Sequence, residues 1–101
     1  MGAVTTHLVS QARTIFSDLG YTVESAGAEL RAERKWRTVH VTPMPEPREP
    51  PTSGEFRCFV TRRENVEAVR RRVTAGGGTY EWAVIGVDDD GSYSVDAAST
   101  R

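Results

Sequence analysis

The clearest pattern of apolar positions lies near the start of the chain. Apolar side chains recur there at spacings of three and four residues, which places them along one stripe of an α-helix: Leu8, Ala12, Ile15, Phe16 and Leu19. Gly20 follows, and glycine often ends a helix because it adopts the left-handed conformation without steric cost. The pattern predicts a helix over residues 6–19.

A second helix is predicted after residue 61. Thr61 and Glu64 have the spacing of a capping box, in which each side chain bonds to the backbone N–H of the other residue. Val66, Val69 and Val73 then form a narrow apolar stripe. Three glycines at 76–78 predict the end of this helix and a flexible turn.

Elsewhere, apolar and polar residues alternate with the period of two that β-strands require. Residues 30–33 and 38–41 predict a hairpin whose tip lies near Arg34 and Lys35. Nearly continuous apolar residues over 80–87 predict a central, buried strand. Further strands are predicted at 21–24, 56–61 and 92–95, with Asp-Asp-Asp-Gly at 88–91 as the turn before the last strand.

These elements predict a single α+β domain over residues 1–101. Two helices pack on a mostly antiparallel sheet of about five to six strands, in the order α-β-β-β-β-α-β-β. Six residues are expected to be buried together: Phe16, Leu19, Val41, Val60, Val84 and Ile85. Residues 43–54, which hold five prolines, are expected to form an exposed internal loop, and residues 97–101 a frayed tail.

Composition agrees with one globular domain and indicates a compartment. The 101 residues are 38% hydrophobic, and no apolar run is long enough to span a membrane. The first residues lack the basic and apolar regions of a signal peptide. Cys58 is the single cysteine, so an internal disulfide is ruled out. We therefore expect a cytoplasmic protein that makes no membrane contact.

Three segments carry a resemblance to a known family. They are Ala-Glu-Arg-Lys-Trp-Arg-Thr-Val-His-Val-Thr-Pro at 32–43, Phe-Arg-Cys-Phe-Val-Thr at 56–61 and Tyr-Glu-Trp-Ala-Val-Ile-Gly-Val-Asp at 80–88. With these segments the chain resembles a family of small uncharacterised proteins from halophilic archaea. The resemblance implies a cytoplasm with molar potassium, and it implies no activity.

The residue types that perform catalysis or bind metals are present but poorly placed. His7, His40 and Cys58 lack the close spacing of zinc ligands. Cys58 shares a strand face with Phe56 and Val60, which predicts a buried, inert thiol rather than a nucleophile that uses His40 as its base. We predict no catalytic, metal-binding or cofactor-binding residue, no cofactor, and a protein that is not an enzyme.

One motif keeps a nuclease among the alternatives. Glu33-Arg34-Lys35 has the acidic-x-Lys form that restriction-endonuclease-like cores use beside magnesium. It falls at the tip of the predicted hairpin and not within a strand. A degenerate restriction-endonuclease-like domain, without a complete active site, is therefore the third hypothesis.

Arginine is concentrated in the middle of the chain, where residues 55–78 carry six Arg and three Glu. Arg62 and Arg63 stand at the predicted start of the second helix, where cations oppose the helix dipole and an anion would be favoured. Trp36, in a basic hairpin, has the setting of a residue that stacks a nucleobase. Together with Arg57, these residues define the alternative hypothesis of a nucleic-acid-binding protein.

The leading hypothesis is a small non-enzymatic binding or interaction module that forms a homodimer. It rests on the incomplete catalytic motifs and on the strand edges that so small a chain leaves uncovered. A protein partner is expected but not identified. Nucleic acid is a weaker candidate, because molar salt removes most of the affinity that arginine–phosphate contacts supply.

Overall fold

The computed structural model describes residues 2–27, 29–35, 37–46, 50, 56–75 and 80–97. Its helices are α1, Gly2–Asp18, and α2, Val66–Ala75, and a 3-10 turn, Arg63–Asn65, precedes α2. Its strands are β1, Thr22–Ala26; β2, Glu29–Arg34; β3, Arg37–Pro43; β4, Phe56–Arg62; β5, Glu81–Val87; and β6, Tyr93–Ala97. Two helices and a mostly antiparallel six-stranded sheet confirm the predicted α+β class. Neither described helix is long and apolar enough to cross a membrane.

The six strands form one sheet, and their spatial order follows the chain from β1 to β6. The pairs β1–β2, β2–β3 and β5–β6 are antiparallel, whereas β3–β4 and β4–β5 are parallel. The hairpin predicted near Arg34 and Lys35 is confirmed, since Arg34 pairs with Arg37. A parallel pair needs a crossover, and α2 is the crossover between β4 and β5. β1 and β6 are left as the two edges of the sheet.

α1 covers one face of the sheet with the stripe that its sequence predicts. Leu8, Ala12, Ile15 and Phe16 are buried against residues of β2 to β5, and Cys58 and Val60 belong to the same core. The prediction that Leu19 is buried is wrong, because its exposed fraction is 47%. The helix ends at Asp18, so Leu19 no longer follows the helical stripe.

The end of α1 is a Schellman motif. The N–H of Gly20 donates to the carbonyl of Ser17 at 3.0 Å, and the N–H of Tyr21 donates to the carbonyl of Phe16 at 2.9 Å. Gly20 has φ of 94°, which is the left-handed conformation predicted for a glycine that ends the helix. The Tyr21 ring packs edge-on against Phe16 with 5.3 Å between centroids. This motif fixes Tyr21 beneath the end of the helix.

α2 covers the other face, and a second core lies beneath it. Val69 and Val73 are buried as predicted, and they pack with Met44, Phe59, Tyr80 and Val84. Val84 and Ile85 therefore belong to different cores, because adjacent residues of a strand point to opposite faces. The expectation that one core contains both residues is wrong.

The proline-rich segment is partly built into the domain. Pro43 ends β3, and the N–H of Met44 donates to the carbonyl of Val60 at 2.8 Å. Met44 is 1% exposed and Pro50 is buried, so the expected exposure of residues 43–54 is wrong at these positions. The reason is that the Met44 side chain enters the α2-side core. Residues 47–49, 51–55 and 98–101 lie outside the described residues.

Candidate functional site

The predicted anion site at the start of the second helix has a different local structure from the expected one. Thr61 and Arg62 pair with Gly86 and Val87, so β4 continues through Arg62. Arg62 is extended, and within the described part of the chain no side chain caps the 3-10 turn that follows. The capping prediction for Thr61 is therefore wrong, because sheet pairing holds this residue in β4, where it is 0% exposed.

Arg62 and Arg63 are both engaged by carboxylates. Arg62 Nε donates to Glu64 at 3.0 Å and Arg62 Nη2 to Asp89 at 3.2 Å, while Arg63 Nε donates to Asp88 at 2.7 Å. The hydrogen bond to Glu64, together with the charges of Glu64 and Asp89, raises the pKa of Arg62. We call these five residues the paired end. Its cations already have anionic partners, which disfavours an external anion there.

The turn after β5 presents two of these carboxylates, Asp88 and Asp89, whereas Glu64 belongs to the 3-10 turn before α2. The N–H of Asp88 donates to the carbonyl of Ser92 at 2.9 Å, and Gly91 has φ of 93°, which confirms the predicted hairpin turn. Hydrogen bonds from the backbone and hydroxyl of Ser92 lower the pKa of Asp90. The carboxylates of this turn therefore hold backbone and arginine side chains. No group of three His, Cys, Asp or Glu residues suited to a metal occurs among the described residues.

Arg57 is buried and not on an accessible surface. It is 8% exposed, and its Nη1 lies 3.0 Å from Glu29 Oε2, which also accepts a hydrogen bond from Thr42 at 3.0 Å. The guanidinium lies 5.7 Å from the centre of the Tyr80 ring. Arg57 is thus part of the packing on the α2 face, because an inward position on β4 requires a charged side chain to find partners. This placement does not favour the predicted nucleic-acid contact.

Cys58 is confirmed as a core residue. It is 3% exposed, and burial raises the pKa of its thiol to about 12. His40 pairs with Arg57 across β3 and β4, whereas Cys58 pairs with Val41. Directly paired residues share a face of a sheet, so His40 and Cys58 lie on opposite faces. The alternative in which His40 activates Cys58 therefore lacks its geometry.

A second group of cations lies at the opposite end of the sheet, around the β2–β3 hairpin. We call Arg34, Lys35 and Arg37 the basic tip. The Arg34 guanidinium lies 5.9 Å from the centre of the Tyr21 ring, and that of Arg37 lies 5.1 Å from the centre of the Phe56 ring. Trp36 lies outside the described residues. No ion pair joins the basic tip to a described carboxylate.

The nuclease-like motif overlaps the basic tip. Glu33 lies in β2 and forms an ion pair with Arg31, with 3.3 Å between Arg31 Nε and Glu33 Oε2. Lys35 occupies the turn, as predicted, with φ of 55°. The acidic and basic members of the motif are therefore divided between a strand and a turn.

An apolar cleft adjoins the basic tip on the α1 face. Its volume is about 140 Å³, and the following residues line it: Phe16, Leu19, Tyr21, Val39, Phe56, Cys58, Ala83, Ile85 and Val95. Tyr21 also lines an open depression together with Arg34, Lys35 and Arg37. The two aromatic rings that support the guanidiniums of the basic tip, Tyr21 and Phe56, are therefore walls of the cleft.

Comparison with known proteins gives one match. A family of unknown function, DUF7116, matches residues 9–97. The chain belongs to this family. No curated protein and no solved structure matches the chain. The match runs from within α1 to the end of β6, so it includes the paired end, the basic tip and the apolar cleft.

The cleft is the feature that sequence reasoning missed. Tyr21 and Phe56 were predicted only as strand residues, and Val95 only as part of the last strand. The exposed fractions of Leu19 and Val95 are 47% and 58%, although both are large and apolar. Their exposure depends on the position of the end of α1 relative to β6. This position is set by tertiary packing and cannot be predicted from a local sequence pattern.

Proposed function

We propose that the chain is a non-enzymatic binding module that holds an acidic protein segment at the apolar cleft. The main support is the position of the basic tip beside the apolar cleft, since Tyr21 lines both the cleft and the depression that holds the three cations. None of these cations forms an ion pair with a described carboxylate. The partner is therefore expected to present one apolar anchor side chain with carboxylates beside it.

The cleft volume supports an anchor of limited size. A cavity of roughly 150 Å³ is enough to hold a benzene molecule, and this cleft measures about 140 Å³. It accommodates one phenylalanine ring or one leucine side chain. Small-molecule sites are usually larger, about 300 to 1,000 Å³, so a side chain anchor is favoured over a metabolite. Burial of such an anchor contributes roughly 1.5–3 kcal/mol.

The basic tip supports an anionic partner. Arg34 and Arg37 each lie against an aromatic ring, which limits the orientations of their guanidiniums before a partner arrives. Arginine binds carboxylates through paired, planar hydrogen bonds. Rim charges mainly set specificity and association rate, while the anchor supplies affinity.

The same proposal places the protein in the cytoplasm of a halophilic archaeon, which is supported by the sequence resemblance. At molar salt the Debye length is about 3 Å, so charges act only on groups in contact. A site that combines an apolar anchor with close ion pairs keeps affinity under these conditions. Binding through phosphate contacts alone does not, which makes nucleic acid the second candidate at the basic tip.

The experiment measures fluorescence anisotropy of labelled peptides in low and molar KCl. The probe is Glu-Asp-Glu-Phe-Glu-Asp-Glu, with one control peptide that has Ser for Phe and another that has Lys for each acidic residue. We expect the probe to bind at least about tenfold more tightly than either control. An oligothymidine of similar charge tests the second candidate.

Protein variants assign the site. Arg34→Glu with Arg37→Glu should weaken binding of the probe about tenfold. The matched control is Arg71→Glu with Arg72→Glu, which makes the same charge change at two exposed residues of α2. Equal weakening by both pairs, or equal binding of all peptides, would overturn the proposal. If oligothymidine binds more tightly than the probe, and Arg34→Glu with Arg37→Glu abolishes that binding, the hypothesis of a nucleic-acid-binding protein would replace the proposal.

A further inference from the structure

β6 is an edge strand with an outward row of backbone groups. The N–H of Asp88 donates to the carbonyl of Ser92 at 2.9 Å, so Ser92 turns its backbone groups toward β5. Because these directions alternate along an antiparallel strand, Ser94 and Asp96 also face β5. The backbone N–H and C=O groups of Tyr93, Val95 and Ala97 therefore point away from the sheet.

The side chains of β6 on the α1 face are apolar and exposed. Tyr93 and Val95 pair with Val87 and Ile85, which belong to the α1-side core. Yet Tyr93 is 41% exposed and Val95 is 58% exposed, because α1 does not extend over β6. An edge strand of this kind is a template for a further strand.

The two edges of the sheet differ in how well they can pair with themselves. If two copies of β1 pair antiparallel along all five residues, Glu24 lies at the centre and faces Glu24 of the partner subunit. Two like charges are then opposite each other, which is unfavourable. In β6, the same kind of register is centred on Val95 and sets Val95 against its equivalent. Ser94 then faces Asp96 of the partner subunit, and Tyr93 faces Ala97 of the partner subunit. No like charges oppose each other, and the one acidic residue faces a hydroxyl.

We propose that two copies of the chain associate through antiparallel pairing of their β6 strands, centred on Val95. The twofold axis is perpendicular to the sheet, so both α1 helices lie on the same face of a continuous sheet. Val95 of each copy then meets its equivalent on that face, and the two Tyr93 side chains flank this pair on opposite sides. Since Val95 lines the apolar cleft, the second copy extends the wall of each cleft.

This inference goes beyond the proposed function and stands or falls independently of it. Light scattering in molar KCl should report about twice 11.1 kDa over a wide concentration range. Val95→Lys places a charge opposite its own copy and should give the monomer mass with an unchanged circular dichroism spectrum. Arg34→Glu with Arg37→Glu should leave the dimer mass unchanged, which separates this test from the peptide measurements.

A disulfide test fixes the register. The backbone groups of Val95 point toward the partner subunit, so the two copies of Val95 form a hydrogen-bonded pair, with Cα atoms about 5.5 Å apart. A disulfide spans Cα distances of about 4.4–6.8 Å. Oxidised Val95→Cys should run as a covalent dimer on a non-reducing gel. Ser94→Cys is the matched control, because its equivalents lie diagonally, about 7–8 Å apart. Cys58 does not compete, since it is 3% exposed. A monomer mass for the unchanged protein, or equal cross-linking of both variants, would overturn the inference.

Discussion

The two ends of the sheet hold similar numbers of cations in opposite situations. At the paired end, Arg62 and Arg63 contact carboxylates of the turn after β5. At the basic tip, Arg34 and Arg37 lie on aromatic rings, with no described carboxylate in an ion pair with them. A run of arginines in a sequence therefore says little about which of them a ligand can reach.

The parallel register of β4 and β5 causes the difference. Arg62 pairs with Val87, so the residues that follow each of them, Arg63 and Asp88, emerge at the same end of the sheet. Asp88 and Asp89 are thereby delivered to the arginines. The β2–β3 hairpin reverses the chain within two residues, and Arg34 faces Arg37. Its pairing gathers like charges, and no carboxylate among the described residues forms an ion pair with them.

The largest effect on stability is expected at Arg57, whose carboxylate partner is partly buried. Arg57→Ala removes the cation and leaves Glu29 beside the α2-side packing, so the free energy of unfolding should fall by about 3 kcal/mol. The matched control is Arg31→Ala, whose pair with Glu24 is exposed and should cost less than about 1 kcal/mol. Urea unfolding measures both, and equal losses would show that burial of the pair is unimportant.

A smaller loss is expected at Gly86, which lets the 3-10 turn approach β5. A Cβ at this position would overlap the Val66 Cγ2 methyl and lie 3.3 Å from Arg63 Cα. Gly86→Ala should therefore cost about 1–3 kcal/mol and displace Arg63 from Asp88. Adding Val66→Ala should recover part of the loss in the same unfolding assay. A double variant with strictly additive losses would contradict the proposed overlap.

Replacement of Arg62 and Arg63 by Glu tests the paired end directly. Reasoning from the helix dipole alone predicts stabilisation, since acidic residues suit a helix start. The ion pairs with Glu64, Asp88 and Asp89 predict the opposite sign, because the replacements would place like charges together. The melting temperature should fall, and molar KCl should reduce the fall. A rise in melting temperature would restore the dipole argument.

Much of the fold follows from local patterns, and the exceptions have physical causes. The stripe of α1, its Gly20 ending and the Arg34–Lys35 hairpin all depend on residues close in sequence, and all were predictable. Thr61 and Glu64 had the right spacing for a cap, but pairing with Gly86 keeps Thr61 in the sheet. Long-range pairing overrides a local signal of about 1 kcal/mol.

The candidate site was less predictable than the fold. Arg57 alternates with apolar residues in β4, and this pattern alone predicts an accessible side chain. Its contacts with Glu29 and Tyr80 join residues that are distant in sequence, so the local pattern does not reveal them. The basic tip was visible in the sequence, but the cleft beside it was not. The cleft exists because α1 stops before β6 and because Tyr21 and Phe56, distant in sequence, meet at one end of the sheet.

Acid should weaken the contacts of Glu64 in the paired end and those of Asp90 in the turn after β5. A hydrogen bond from its own backbone N–H, and then one from Arg62, lower the pKa of Glu64 below its ordinary value. Hydrogen bonds from the backbone and hydroxyl of Ser92 lower the pKa of Asp90 below its ordinary value. A lowered folded-state pKa contributes stability above the unfolded-state value, and the contribution is lost as pH falls through the folded-state value. Melting temperature should therefore decline below about pH 4.5, less steeply in Asp90→Asn, and equal slopes would contradict this assignment.

The smallest expected change in stability is at Lys35, and its sign is informative. Lys35 is the one described residue other than glycine with a positive φ, at 55°. Glycine relieves this conformation but adds entropy to the unfolded chain, so Lys35→Gly should change the free energy of unfolding by less than about 1 kcal/mol, in the stabilising direction. The same change removes a cation from the basic tip and should weaken the acidic probe peptide. Higher stability with weaker binding would indicate that the lysine is retained for binding and not for the turn. A clear loss of stability with unchanged binding would reverse that assignment and make Lys35 a structural residue of the hairpin.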